Sequence, residues 1–183
     1  IFAIVIAVLV VAGGAWLLLQ SPQTLTGVPV AAAPASTTST RAPATTVTRP
    51  VSCVYTPTPD QPAVKSVSGV PGDATEVPTS GQVKVTLKTN LGDIPLVLDR
   101  GLAPCSVHSF LFLVGQKYHD GVPCHRVTLA YRLRVLQCGD PGGTGAGGPG
   151  YQFGDELPTG LTPAGSGAVF YPRGTVAMAN AGP

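Results

Sequence analysis

From Val83 the chain alternates apolar and polar positions, with Val83, Val85 and Leu87 separated by Lys84 and Thr86. After Asn90-Leu91-Gly92-Asp93 the same alternation resumes through IPLVLD. A period of two puts one set of side chains on one face of a strand, so residues 83 to 99 predict a β-hairpin. The period then changes. Ala103-Pro104-Cys105-Ser106 places Pro and Ser near a helix start, and SVHSFLFLVGQ puts Val107, Phe110, Leu111 and Val114 on one helical face. One short helix ending near Gly115 is predicted. Tyr118-His119-Asp120-Gly121 turns the chain into a second hairpin, with arms Val122 to Thr128 and Leu133 to Cys138 and a turn around Leu129 to Arg132. A glycine-rich loop follows, and Gly174 to Ala179 predicts another short strand. Strands on both sides of one helix, with no repeated strand-helix alternation, predict an antiparallel barrel or sandwich over a doubly wound sheet.

The front of the chain has a different texture. Residues 1 to 19, IFAIVIAVLVVAGGAWLLL, carry no charge and have no polar face at any period. A bilayer core takes about 20 apolar residues as a helix. Residues 1–19 therefore predict a transmembrane signal-anchor helix, longer than the apolar core of a cleaved signal. With no Met and no basic flank before it, the chain looks cut at its front. Residues 20–80 are dominated by Pro, Thr, Ser, Ala and Val, as in PVAAAPASTTSTRAPATTVTRPV. Such a stretch buries too little apolar area to offset its ordering entropy, so it predicts an extended, disordered linker reaching about 40 to 45 Å. Residues 81–183 are left as the folded domain.

Charge and composition narrow the chemistry. The net charge is only +2 and the basic residues are scattered, which gives no nucleic-acid footprint. Gly143-x-Gly145-x-x-Gly148 has the outline of a dinucleotide loop, but Pro149 and Gly150 follow it and start no helix. The glycines instead mark backbone that turns tightly or approaches a ligand closely. Cys105, His108, His119, Cys124, His125 and Cys138 are metal-type ligands without a paired Cys-x-x-Cys arrangement, so no metal or cofactor is predicted. No Gly-x-Ser-x-Gly elbow supports a hydrolase. Cys53, Cys105, Cys124 and Cys138 would face an oxidising space beyond the anchor, where disulfides are permitted.

The second hairpin raises a question of parity. A lone Arg in a strand is ordinarily a solvated charge. If Arg126 shares a face with Gln137, Cys124 joins that face by even spacing and Cys138 points the other way. A disulfide between Cys124 and Cys138 would then require a bulge.

In order along the chain, His125-Arg126, the LQCGD segment, the GTGAGGPGYQFGDE loop and the closing GTVAMANAGP resemble the cyclophilins, which are peptidyl-prolyl cis-trans isomerases. The resemblance covers about residues 82 to 183. The forms APCSV, PCHRV and LQCGD, behind an anchor and a Pro/Thr spacer, are most similar to the exported cyclophilins of actinobacteria such as mycobacteria. It implies a mainly β fold, an eight-stranded antiparallel closed barrel capped by two helices, with the site on the outer wall. It also implies catalytic roles for Arg126 and Gln137. Asn180 would pair its main chain with the substrate, Ala179 and Ala181 would line that neighbourhood, Gly145 would lie in the glycine loop beside it, and His125 would pack next to the arginine. The implied ligands are Pro-containing peptides or unfolded exported proteins and cyclosporin-type inhibitors, met outside the cytoplasm at the cell membrane.

Two departures bear on activity. Where many cyclophilins have Phe-Met, this chain has Arg134-Val135, which predicts a shallower or more cationic proline pocket, and the hairpin turn is about three residues longer. The family also implies further strands and a second helix after Pro183, so the natural protein is expected to be longer and the chain as given inactive. Two alternatives accompany the isomerase. One is a catalytically weak module that binds Pro-containing segments; the other is a self-associating surface protein whose Pro-rich spacer fills its own groove.

Overall fold

The computed structural model describes residues 4–6, 49–130 and 133–179. These residues are mainly β, with a single helix among them. Strand β1 (Ile4–Ile6) comes first, then β2 (Thr56–Pro57), β3 (Gln82–Thr89) and β4 (Gly92–Asp99). Helix α1 (Pro104–Gly115) leads into β5 (Arg126–Ala130) and β6 (Leu133–Cys138). Short strands β7 (Tyr151–Gln152), β8 (Thr162–Gly165), β9 (Ala168–Phe170) and β10 (Val176–Met178) complete the order. They form one four-stranded sheet, β10-β1-β6-β5, and the pairs β2-β7, β3-β4 and β8-β9. Among the described residues these four sheets do not close into one barrel.

The first hairpin follows its alternation. Val83, Val85 and Leu87 lie opposite Leu98, Leu96 and Ile94 in antiparallel register. Such cross-strand apolar pairs are the local unit of sheet stability. Val85, Leu87, Ile94 and Leu98 pack around buried Leu96 and Phe110, joined by Leu136 and Val176. Each fully buried Leu or Phe contributes roughly 1.5–3 kcal/mol. The helix buries Val107, Ser109, Phe110 and Leu113, whereas Val114, expected on that face, is 43% exposed. The reason is that α1 serves two clusters, Phe110 facing one and Leu113 the other.

The expected linker over 20–80 is corrected where it can be seen. Cys53, Tyr55 and Val77 are buried with Leu113, Tyr118 and Tyr151 in the second cluster. β2 pairs with β7, a bridge joins Val51 to Val77, and a Cys53–Cys105 disulfide with Cα atoms 5.6 Å apart ties this segment to α1. Mean composition suggested disorder, yet buried Tyr55 and Val77 and a covalent tie at Cys53 fasten residues 49–80 to the fold. Residues 20–48 lie outside the described residues.

The expected membrane helix also lies outside them, apart from Ile4–Ile6. Those three β-branched residues are extended, not helical, and pair with both β6 and β10. No helix among the described residues is long and apolar enough to cross a membrane.

Glu156 caps the helix from a distance. Ala103 supplies no side-chain cap, and instead the backbone N–H groups of Cys105 and Ser106 donate to Glu156 Oε1 and Oε2, each at 2.8 Å. A carboxylate there satisfies two of the open N-terminal donors and meets the positive end of the helix dipole. At the other end, Lys65 Nζ donates to the carbonyls of Lys117 and Asp120, both at 2.8 Å, and fixes the turn into the second hairpin.

Candidate active site

The site is built on the second hairpin. β5 and β6 pair without a bulge, and Arg126 stands directly opposite Gln137. Alternation from that pair places Thr128, Val135 and Leu133 on the same face, while Val127, Leu129, Arg134 and Leu136 take the other. Leu136 on that second face packs into the core beside Leu96 and Phe110. Arg126 is exposed and Gln137 is buried, with Arg126 Nη1 donating to Gln137 Oε1 over a long 3.5 Å. Among the described residues no carboxylate pairs with Arg126. Its remaining N–H donors therefore stay available to a ligand, in the rigid fork that a guanidinium presents.

The register sets Arg134 apart from Arg126. It sits across from Leu129, exposed, on the face away from Arg126, and Val135 is the residue that shares the Arg126 face. A strict period of two forbids both members of the Arg134-Val135 pair from flanking the guanidinium.

The parity argument about the cysteines is also corrected. A Cys124–Cys138 disulfide is present, with Cα atoms 4.0 Å apart, although the ladder has no bulge. Alternation does not reach Cys124, because β5 begins only at Arg126. Gly121 with φ +71° and Pro123, which has no N–H to give a ladder, keep residues 122–125 out of the strand.

Gly145 and His125 do assemble with this pair. A methyl group built on Gly145 would lie 3.2 Å from His125 Nε2 and 4.0 Å from Gln137 Nε2. With φ +81° as well, Gly145 is a position that L-residues resist on two grounds. Both ring nitrogens of His125 are buried without a hydrogen-bond partner in the structure. Ala179 is half-buried just beyond β10, whose Val176 joins the same core cluster as Leu136. Asn180 and Ala181 lie outside the described residues.

The residue that sequence reasoning passed over is Asp140. It is 0% exposed, and its carboxylate accepts from the N–H groups of Gly142 (2.7 Å), Thr144 (2.9 Å) and Gly145 (2.7 Å) and from the Thr144 hydroxyl (3.1 Å). Burial pushes its pKa up, but the backbone donors of Gly142, Gly147 and Gly145 and the Thr144 hydroxyl outweigh that and hold it down at about 2. The sequence did carry a signal, because Asp140-Pro141-Gly142-Gly143 has the form of a turn in which Asp bonds to its own following backbone.

Residues 84–183 match the family described as "Cyclophilin type peptidyl-prolyl cis-trans isomerase/CLD". The chain is 50% identical over 136 residues to the "Probable peptidyl-prolyl cis-trans isomerase B" of Mycobacterium tuberculosis, covering 72% of this chain and 43% of that protein. It is 46% identical over 138 residues to the protein of the same name from Mycobacterium leprae, covering 73% of this chain and 46% of that one. The chain thus spans less than half the length of these curated relatives. A "Putative bifunctional phosphatase/peptidyl-prolyl cis-trans isomerase" of Streptococcus pyogenes is 43% identical over 103 residues, 55% of this chain and 20% of that protein. No solved structure matches the chain significantly. An unneutralised arginine set against a glutamine on an exposed strand face, a glycine loop closed behind them and a family match over 84–183 lead to one assignment: this chain belongs to the cyclophilin-type peptidyl-prolyl cis-trans isomerase family.

Proposed function

We propose that the full-length protein is a peptidyl-prolyl cis-trans isomerase acting on X-Pro bonds, with Arg126 and Gln137 as its catalytic pair. The observation that carries this is the direct pairing of Arg126 with Gln137 across β5 and β6, where the guanidinium meets a neutral acceptor and no carboxylate among the described residues. Amide resonance sets a rotation barrier of about 18–20 kcal/mol, and uncatalysed X-Pro exchange takes tens to hundreds of seconds. As the bond twists, the prolyl nitrogen loses conjugation and regains a lone pair. A guanidinium donor directed there stabilises the twisted form more than either planar one, so catalysis is differential binding with no covalent intermediate. Gln137 Oε1 steadies the donor without neutralising it.

Finer parts of this reading extend from the family. The described sheets belong to an eight-stranded barrel capped by two helices, and the main chain around Asn180, with Ala179 and Ala181, borders the bound peptide. Cyclosporin-type inhibitors compete for the same face. The domain works outside the cytoplasm and assists exported chains, tethered by the apolar run over residues 1–19, in which Ile4–Ile6 would have to leave their pairing with β6 and β10 to enter a bilayer. The charge-free apolar run and the two disulfides support that placement, since disulfides persist in oxidising spaces.

The test is the catalytic constant of the full-length protein on a short X-Pro peptide. Arg126→Ala should lower kcat/KM about a hundredfold, the scale of losing one transition-state donor, with a much smaller loss of peptide affinity. A folded wild-type protein that binds the peptide without accelerating exchange would refute the isomerase and leave a binding module.

A further inference from the structure

Gln137 serves Arg126 only if its carboxamide turns the oxygen, not the NH2, toward the guanidinium. The guanidinium has only donors and so draws the oxygen, and the Nε2 end of the carboxamide is left beside Gly145, where a methyl group would come within 4.0 Å of it. Gly145 is also the wall against which the His125 ring rests, one residue before Arg126. Its own position is set by Asp140, whose Oδ2 accepts from the Gly145 N–H at 2.7 Å and from Thr144 at 2.9 Å, while Oδ1 holds Gly142 at 2.7 Å. The Asp140 carbonyl takes the Gly143 N–H at 3.0 Å. Further along the loop, a methyl group on Gly147 would collide with the Asp140 carboxylate, so the backbone closes directly over it.

We infer that Asp140 is a positioning residue for the reaction: it holds Gly145 beside the Gln137 carboxamide and the His125 ring, and so keeps Gln137 in the place from which it meets Arg126. The inference rests on the isomerase reading of this site. Two features argue for it over a mere turn. Asp140 is fully buried without a cationic partner among the described residues, a costly placement offset only by the loop's own donors. Only an ionised carboxylate is acceptor-only at both oxygens, so it alone can face every one of those N–H groups. An asparagine would set an NH2 against one of them. The loop would then shift, and displacements of about 1 Å near reacting groups cost up to about a hundredfold in rate.

The experiment compares Asp140→Asn and Thr144→Val in the full-length protein, each alone and combined with Arg126→Ala. It reads kcat/KM on an X-Pro peptide, the melting temperature, and the NMR resonances of the Gln137 side-chain amide. Asp140→Asn should cut kcat/KM about tenfold when Arg126 is present and by less than about twofold when it is absent, the non-additivity expected of groups acting through one another. Thr144→Val, which removes the hydroxyl that donates to Asp140 and accepts from the Ala146 N–H but keeps the backbone donors to Asp140, should cut it about threefold and move the Gln137 amide resonances. Folded Asp140→Asn with wild-type kinetics, or an equal loss in both backgrounds, overturns the inference, the second outcome meaning general structural damage. If Asp140→Asn does not fold, Thr144→Val decides on the same terms. If the wild-type protein shows no isomerisation, the isomerase reading fails by itself, and unmoved Gln137 resonances in Thr144→Val overturn the positioning role independently.

Discussion

At the residue scale, the site depends on which polar groups are neutralised and which are left open. Arg126 meets a neutral amide and no carboxylate among the described residues, so its charge is not offset, whereas Asp140 is met by backbone N–H groups and the Thr144 hydroxyl. His119 shows a third arrangement. Its ring stacks on Phe110 at 5.2 Å and meets Tyr118 edge-on at 5.4 Å, with both nitrogens lacking partners. Burial, then the Lys65 ammonium, lower its pKa from 6.5 to about 4 against the opposing pull of Asp120. The unfolded chain therefore binds the extra proton between these values. Stability is whole above about pH 6.5 and falls as the pH drops toward 4, by roughly 3 kcal/mol. Chemical denaturation at pH 7 and pH 4.5 should show this slope, and His119→Phe should largely flatten it. A slope unchanged in that variant would assign the acid sensitivity elsewhere. That Arg126 and Gln137 stand in the two arms of one hairpin was legible in the sequence, while their roles came from the family resemblance alone. Asp140 was not singled out, because nothing in the sequence tells a solvated turn aspartate from one buried under its own loop.

At the scale of elements, local signals translated well and distant ones did not. The β3-β4 hairpin emerged as read because its alternation and its turn are contiguous, and α1 begins at the Pro104 that suggested it. β2 and β7 are two residues each and lie far apart in the chain, so no periodicity could announce them. Val122–His125 read as strand by apolar pattern alone, but the backbone at Gly121 and Pro123 decided otherwise. Glu156 likewise caps α1 from about fifty positions away. Glu156→Ala should cost about 1 kcal/mol, the usual scale for losing a helix cap, and lower Tm by about 2–4 °C. Calorimetry on both proteins checks this, and an unchanged Tm would mean that the cap contributes nothing beyond what water supplies.

At the scale of the whole molecule, one disulfide and one hydrophobic cluster join segments that composition assigned to different regions. Cys53–Cys105 closes a separation of 52 residues and fastens residues 49–80 to α1. In chain-entropy terms such a loop is worth about 4 kcal/mol. The double variant Cys53→Ser/Cys105→Ser should lose a similar amount and show faster amide exchange through Val51–Val77, whereas exchange in β3-β4 should change little. Equal deprotection everywhere would mean that this segment is not a separable layer. The central claim concerns the hairpin that the rest supports, an arginine left open on an exposed face to catch a twisting prolyl bond. The most direct measurement is magnetisation exchange between the cis and trans forms of an X-Pro peptide with a catalytic amount of the full-length protein. The account predicts exchange far above the uncatalysed rate, nearly abolished in Arg126→Ala while that variant still binds the peptide; acceleration that survives the substitution undiminished would contradict it.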